Sequence, residues 1–214
     1  MLEICKDIFA IYGRSSGCNC YLLEGKENAL IDSGSSLNGN FFSKLPSFPE
    51  ISLIINTHPH IDHFAGNDFF PSAKVAMHGK GAEFLQNQDR EKTCCEYFDS
   101  MPFPKHKVDL KLKDGDEINT GSSVLHVIYT PGHCDGAICL YEEKNKLLFS
   151  GDTVFTGGAI PRTDLPTSSN ENLKKSYEKL LALDIEKLLP GHGKISNDAK
   201  NEIENAYEKI RMLE

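Results

Sequence analysis

The 214-residue chain lacks several things. It has no apolar run approaching the ~18 residues that a membrane-spanning helix requires, so nothing in it is expected to cross or anchor in a bilayer. Its first residues, Met1 to Asp7, lack the basic region of a secretory leader, and a cytoplasmic location is the expectation. An excess of Lys and Arg is also missing. With 23 basic against 31 acidic residues the formal charge is −8, which argues against a nucleic-acid partner, because phosphate binding draws on clustered cations. The seven cysteines, an odd number, lack the spacing of a disulfide framework. Cys18 and Cys20 have no second pair at zinc-finger spacing, so buried structural thiols are expected there. Internal repeats and low-complexity segments are absent too.

What the chain does have is a dense cluster of ligand-type side chains. Thr57-His58-Pro59-His60-Ile61-Asp62-His63 follows the apolar run Ile51–Ile55, which reads as a buried strand. Alternate residues of an extended backbone point the same way, so His58 and His60 can reach one ion, leaving Asp62 and His63 to face a second. Three further ligand types each follow a strand and sit beside glycine: His133 in Thr130-Pro131-Gly132-His133, Asp152 in Ser150-Gly151-Asp152-Thr153, and His192 in Pro190-Gly191-His192-Gly193. Glycine permits tight turns and close backbone approach, so ligands at neighbouring strand ends can converge.

The remaining pattern is one of strands and helices in two rounds. Strands are expected around Ile4–Tyr12, at Cys20–Leu23, Asn28–Asp32, Ile51–Ile55 and Ala73–His78, with a turn or two of helix in 61–70 and a helix over 79–88. A weak helix is expected at Asn38–Leu45. Between 87 and 111 the periodicity dissolves, which suggests a flap near the active site or a homodimer contact, with Phe98, Met101 and Phe103 as apolar cover, or else a short disordered insertion. Strands then recur at 122–129, 137–141, 146–150 and 185–189. Ser168 with Glu171 reads as a capping box for a helix to about Leu183. Ala199, Ile203, Ala206, Ile210 and Leu213 form the apolar stripe of a last helix. The whole is expected to be one domain, 1–214, with helices outside two layers of sheet.

Motif by motif the set resembles the metallo-β-lactamase superfamily: His-x-His-x-Asp-His at His58, His60, Asp62 and His63, the lone histidines His133 and His192, the acid Asp152, and Leu30-Ile31-Asp32-Ser33-Gly34 as an early strand ending in Asp. The resemblance implies an α+β fold, the αββα sandwich of two mixed β-sheets flanked by helices. It implies that His58, His60 and His133 hold one metal and Asp62, His63 and His192 another. Asp152 would bridge the two, and Asp32 would orient a ligand imidazole. Asp62 and Asp152 are the expected catalytic acids, and two divalent ions are the expected cofactors, zinc first and iron or manganese as alternatives. Gly151–Phe155 and Arg162–Pro166 are similar to the small glyoxalase II-like (hydroxyacylglutathione hydrolase-like) enzymes. This implies hydrolysis of a small-molecule thioester or ester by metal-bound hydroxide. Glyoxalase II proper carries a helical C-terminal domain, whereas only about 20 residues follow His192 here, which leaves glutathione as the thiol open. Two other readings stand beside it: a mononuclear iron persulfide dioxygenase using His58, His133 and Asp152, and a lactonase or β-lactamase-type hydrolase.

Overall fold

A computed structural model describes residues 1–14, 17–35, 48–98, 103–105 and 107–213. The expected helix at 38–45 and the residue Met101 lie outside the described residues, as does the side chain of Phe98.

Seven strands form the first sheet in sequence order: β1 (Leu2–Cys5), β2 (Ile8–Ile11), β3 (Cys20–Leu23), β4 (Ala29–Ile31), β5 (Leu53–Asn56), β6 (Lys74–His78) and β7 (Leu110–Leu112). The first four pair antiparallel, and β4 to β7 are parallel. The second sheet runs β12 (Lys187–Pro190), β11 (Leu147–Gly151), β10 (Ile138–Glu142), β9 (Val124–Tyr129) and β8 (Glu117–Asn119), with only β11 and β12 parallel. Four α-helices are described: α1 (Ile61–Phe64), α2 (Gly79–Gln86), α3 (Asn170–Leu181) and α4 (Ala199–Arg211).

The two-residue period of a strand sends successive side chains to opposite faces, and this decides the layering. On β3, Tyr21 and Leu23 enter the core between the sheets, while Cys20 and Leu22 face α1 and α2. On β10, Ile138 and Leu140 enter the same central core, while Cys139 and Tyr141 meet α3 and α4. Three apolar layers therefore separate helices, sheet, sheet and helices, giving the αββα sandwich. All seven cysteines are free, and Cys18 and Cys20 are fully buried packing residues. Among the described residues no helix is long and apolar enough to cross a membrane.

Some local expectations shift. The capping box is displaced by one residue: Ser169 is the N-cap of α3, its hydroxyl accepting from Asn172 N, because the Ser168 hydroxyl donates instead to the carbonyl of His133 at 2.8 Å. Glu171 pairs with Lys175 one turn on. The short strands β7 and β8 were not expected; three residues each, they are too brief to show a period. Phe103 packs against Phe64 with ring centroids 5.7 Å apart, so it belongs to the core rather than to a cover over the site. On α4 the stripe Ala199, Ile203, Ala206 and Ile210 is buried as core, whereas Leu213 is exposed.

Candidate metal centre

The ends of five strands meet along one edge of the sandwich. β4 delivers Asp32, β5 the cluster from Thr57 to His63, β9 the loop to His133, β11 Asp152 and β12 His192. Backbone hydrogen bonds tie these ends together: Ile138 N donates to Thr57 O, Gly191 N to Gly151 O, and Asn19 N to Gly191 O. The Asn19 side chain and the Tyr21 hydroxyl both donate to Pro190 O.

Two glycines are required by close packing rather than by turn shape alone. A Cβ on Gly191 would meet Asp152 Oδ1 and would lie 2.7 Å from Cε1 of His63. Gly151 has φ +47°, and a Cβ there would lie 2.6 Å from the Thr57 hydroxyl.

The structure brings His58, His60 and His133 into one group and Asp62, His63 and His192 into a second, each with ligand-capable atoms within 4.8 Å of one another. In the first group the ring centroids lie 4.7, 4.6 and 5.2 Å apart. In the second, His192 Nε2 is 3.1 Å from Asp62 Oδ2, and His63 Nε2 is 3.6 Å from the same oxygen. Asp152 stands between them, its Oδ1 3.3 Å from His63 Nε2 and its Oδ2 3.5 Å from His192 Nε2 and 3.8 Å from His133 Nε2.

The outward nitrogens of three imidazoles are held by other partners. Asp32 Oδ2 lies 2.8 Å from His63 Nδ1, the Thr57 hydroxyl 3.1 Å from His58 Nδ1, and the carbonyl of Arg162 2.9 Å from His133 Nδ1. Asp32 also accepts from Thr57 N and from the Thr57 hydroxyl, both at 2.8 Å, with its own backbone at φ 55°. Such partners fix ring orientation and leave the opposite nitrogen available as a ligand.

The donor set fits a bound cation on one observation. Among the described residues, the buried side-chain atoms without a hydrogen-bond partner include Nε2 of His58, His60 and His133 and Oδ1 of Asp152. Asp152 Oδ1 is within ion-pair distance of His63 but not aligned for a hydrogen bond. Leaving one buried polar atom unpaired costs about 1–3 kcal/mol, so four of them along one edge would be a large penalty without a cation. His63 Nε2 and His192 Nε2 also face each other at 3.3 Å, a contact that a shared proton or a shared cation can reconcile.

The protonation states agree with this division. Burial, aided by the neighbouring imidazoles His63, His60 and His133, holds His58 well below the ordinary histidine value. Burial likewise lowers His60 to about 3 and lowers His133. These three are neutral at pH 7, with lone pairs available. His63 behaves oppositely: against burial, and alongside Cys18, the carboxylates Asp152, Asp32 and Asp62 raise it well above its ordinary value. Cys18 is itself pushed up by burial and is a neutral thiol at pH 7, so the carboxylates account for the effect. His192 is raised against burial by Asp152 and Asp62. Burial alone would raise Asp152 and Asp62, but the charge on His63 and the pull of His192 hold both below the usual carboxylate range.

A cleft of about 420 Å³ opens from this edge, lined by His60, Asp62, His133 and Asp152 at its floor and by Cys94, Tyr97, Phe155, Ile160 and Leu165 among its walls. Cys94 and Tyr97 come from the aperiodic segment, in turns and a short 3₁₀ helix (Cys95–Phe98), and were not singled out in the sequence as site residues. Only the loss of pattern after Asn87 hinted at them. Cys18, expected chiefly as a buried structural thiol, lies within reach of His63 and Asp32.

Comparison with known proteins agrees with the geometry. The family described as "Metallo-beta-lactamase superfamily" matches residues 13–192. The chain is 35% identical over 197 residues to a probable metallo-hydrolase of Methanocaldococcus jannaschii, covering 87% of this chain and 91% of that protein. It is 32% identical over 217 residues to an acyl-coenzyme A thioesterase of Homo sapiens, covering 85% of this chain and 75% of the relative. The crystal structure of the BLEG-1 B3 metallo-beta-lactamase superposes with a TM-score of 0.79 at 26% identity, covering 91% of this chain and 95% of that one.

Proposed function

Because the chain belongs to the metallo-β-lactamase superfamily, we propose that it is a two-metal hydrolase that cleaves a thioester or related ester of a small molecule. The observation that carries this reading is the convergence of four buried, unpartnered ligand atoms from His58, His60, His133 and Asp152 on one edge, beside an equally close Asp62, His63 and His192. In this reading His58, His60 and His133 would hold one divalent ion and Asp62, His63 and His192 the other, with Asp152 placed to serve either. Zinc suits this donor set first, with iron or manganese as alternatives. A single-iron oxygenase site of His58, His133 and Asp152 would leave the second group without a task.

Bound divalent ions would supply an activated water at neutral pH and an electrophile for the substrate carbonyl. The chain's own residues do the rest. The neutral imidazoles His58, His60 and His133 offer lone pairs without having to lose a proton first. Asp62 and Asp152, both lining the cleft, can orient a water there. Asp32 keeps His63 turned toward Asp62 and Asp152. A thiolate leaves readily without a protonating acid, which matches walls in which the lining thiol, Cys94, is held protonated by burial. The similarity to an acyl-coenzyme A thioesterase supports a thioester over other esters.

Elemental analysis combined with a thioester assay tests the reading. Two metals per chain and thioester hydrolysis are expected of the protein as purified. Asp152→Ala is expected to lose metal and at least about a thousandfold in kcat, the several kcal/mol that metal-assisted catalysis supplies. Full metal occupancy with an undiminished rate in that variant would refute the assignment. So would one iron per chain with oxygen uptake on a persulfide.

A further inference from the structure

The cleft joins a polar floor to apolar walls, and among the described residues the one Lys or Arg that lines it, Arg162, is already engaged. Arg162 makes a two-pronged pair with Asp164, Nε to Oδ1 and Nη2 to Oδ2, both at 2.9 Å, and its guanidinium lies 5.8 Å from the centre of the Tyr97 ring. A second anion would have to compete with that carboxylate. The remaining walls, Tyr97, Phe155, Ile160, Pro161 and Leu165, offer apolar surface.

The wall from 155 to 165 is held at both ends. Gly158 N donates to Oε2 of the buried Glu202 on α4 at 2.8 Å, and Lys209 Nζ, also on α4, donates to the carbonyls of Gly157 and Gly158 at 2.9 and 2.8 Å. The Thr156 hydroxyl donates to Lys194 O. At the far end the carbonyl of Arg162 meets His133 Nδ1 at 2.9 Å. The apolar wall is thus built into the frame that carries the metal-type residues, so its distance from the floor is set by the fold rather than by the substrate.

Resting on the thioester reading above, we infer that this cleft takes the acyl side of the substrate and selects an uncharged, apolar acyl group of short to medium length. The reacting carbonyl must sit at the floor beside His60, Asp62, His133 and Asp152. The group bonded directly to it then lies against Phe155, Ile160 and Leu165. An acyl group with its own carboxylate would have to compete with Asp164 for Arg162 and would bring a charge against the apolar walls. Each methylene removed from water would raise kcat/KM by roughly two- to fourfold, according to how fully the open cleft covers it.

The test is a series of N-acetylcysteamine thioesters (acetyl, butyryl, hexanoyl and succinyl) hydrolysed by the metal-loaded protein. The expected result is a rise in kcat/KM of at least tenfold from acetyl to hexanoyl, with succinyl below butyryl. Ile160→Asp, and independently Leu165→Asn, should compress the acetyl-to-hexanoyl rise to within about threefold, mainly through KM. Repeating the series with coenzyme A thioesters should give the same ranking. A flat series, succinyl as the best substrate, or rates that follow the thiol and ignore the acyl group would overturn this inference while leaving the hydrolase reading standing. Failure to cleave any member would overturn both.

Discussion

Oδ2 of Asp32, at the end of β4, lies 2.8 Å from Nδ1 of His63 just beyond β5, and the same carboxylate accepts both donors of Thr57. One buried acid therefore fixes the register of the two parallel strands that open the site and the tilt of one imidazole within it. Asp32→Asn keeps the size but replaces an anionic acceptor by an amide with a single acceptor oxygen. The variant should be destabilised by about 1–3 kcal/mol and should bind metal roughly 10- to 100-fold more weakly. Urea unfolding and metal titration of the variant beside the wild type measure both, and unchanged metal affinity would show that Asp32 acts on folding alone.

Metal addition should stabilise the chelator-treated protein. Ligands that bind only the folded state add about 2.7 kcal/mol at a hundredfold excess over Kd. For a chain of this size that corresponds to a rise in Tm of about 5–10 °C. Thermal scans with zinc, iron(II) and manganese in turn would read it, and the absence of a shift with all three would contradict a resident metal site.

pH should act on the metal-free chain in two opposing directions. His58, His60 and His133 are lowered from 6.5, so below that pH the unfolded chain takes up protons that the folded one refuses. Their contribution is present above 6.5 and is lost as the pH falls towards 3. His63 and His192 are raised, so their contribution is complete below 6.5 and is lost as the pH rises through their folded values. Stability should therefore peak near pH 6.5, with an acid-side slope of up to about 1.4 kcal/mol per pH unit for each lowered histidine. Denaturant melts between pH 4.5 and 8.5 would show the maximum, and a monotonic rise across that range would contradict it. Loading with metal should shift the maximum upward, because the ligands must then be deprotonated.

Much of this was legible from local pattern. Strand β3 shows as Cys20–Leu23 because a short apolar run between turn residues has few other fates, and His133, Asp152 and His192 show because each follows a strand beside glycine. The N-cap of α3 was misplaced by one residue because two serines stand together, and the contact that separates them, Ser168 to the carbonyl of His133, spans 35 positions. Tyr97 and Cys94 were missed as cleft residues because the loop that carries them has no period to read, and long-range contacts such as the hydrogen bond from Ile61 N to Thr93 O bring it over the site.

The sequence by itself determined the strand-end positions of His58, His60, Asp62, His63, His133, Asp152 and His192, since periodicity is a local property, and its motifs carried the resemblance that implied the fold class and a metal-type site. Only the tertiary structure decided which imidazoles are neutral and which are drawn up by carboxylates. The same holds for the pairing of Arg162 with Asp164 at the cleft and for the anchoring of the apolar wall by Glu202 and Lys209. Each of these depends on burial, or on distances that a folded frame fixes and that no local window of residues encodes.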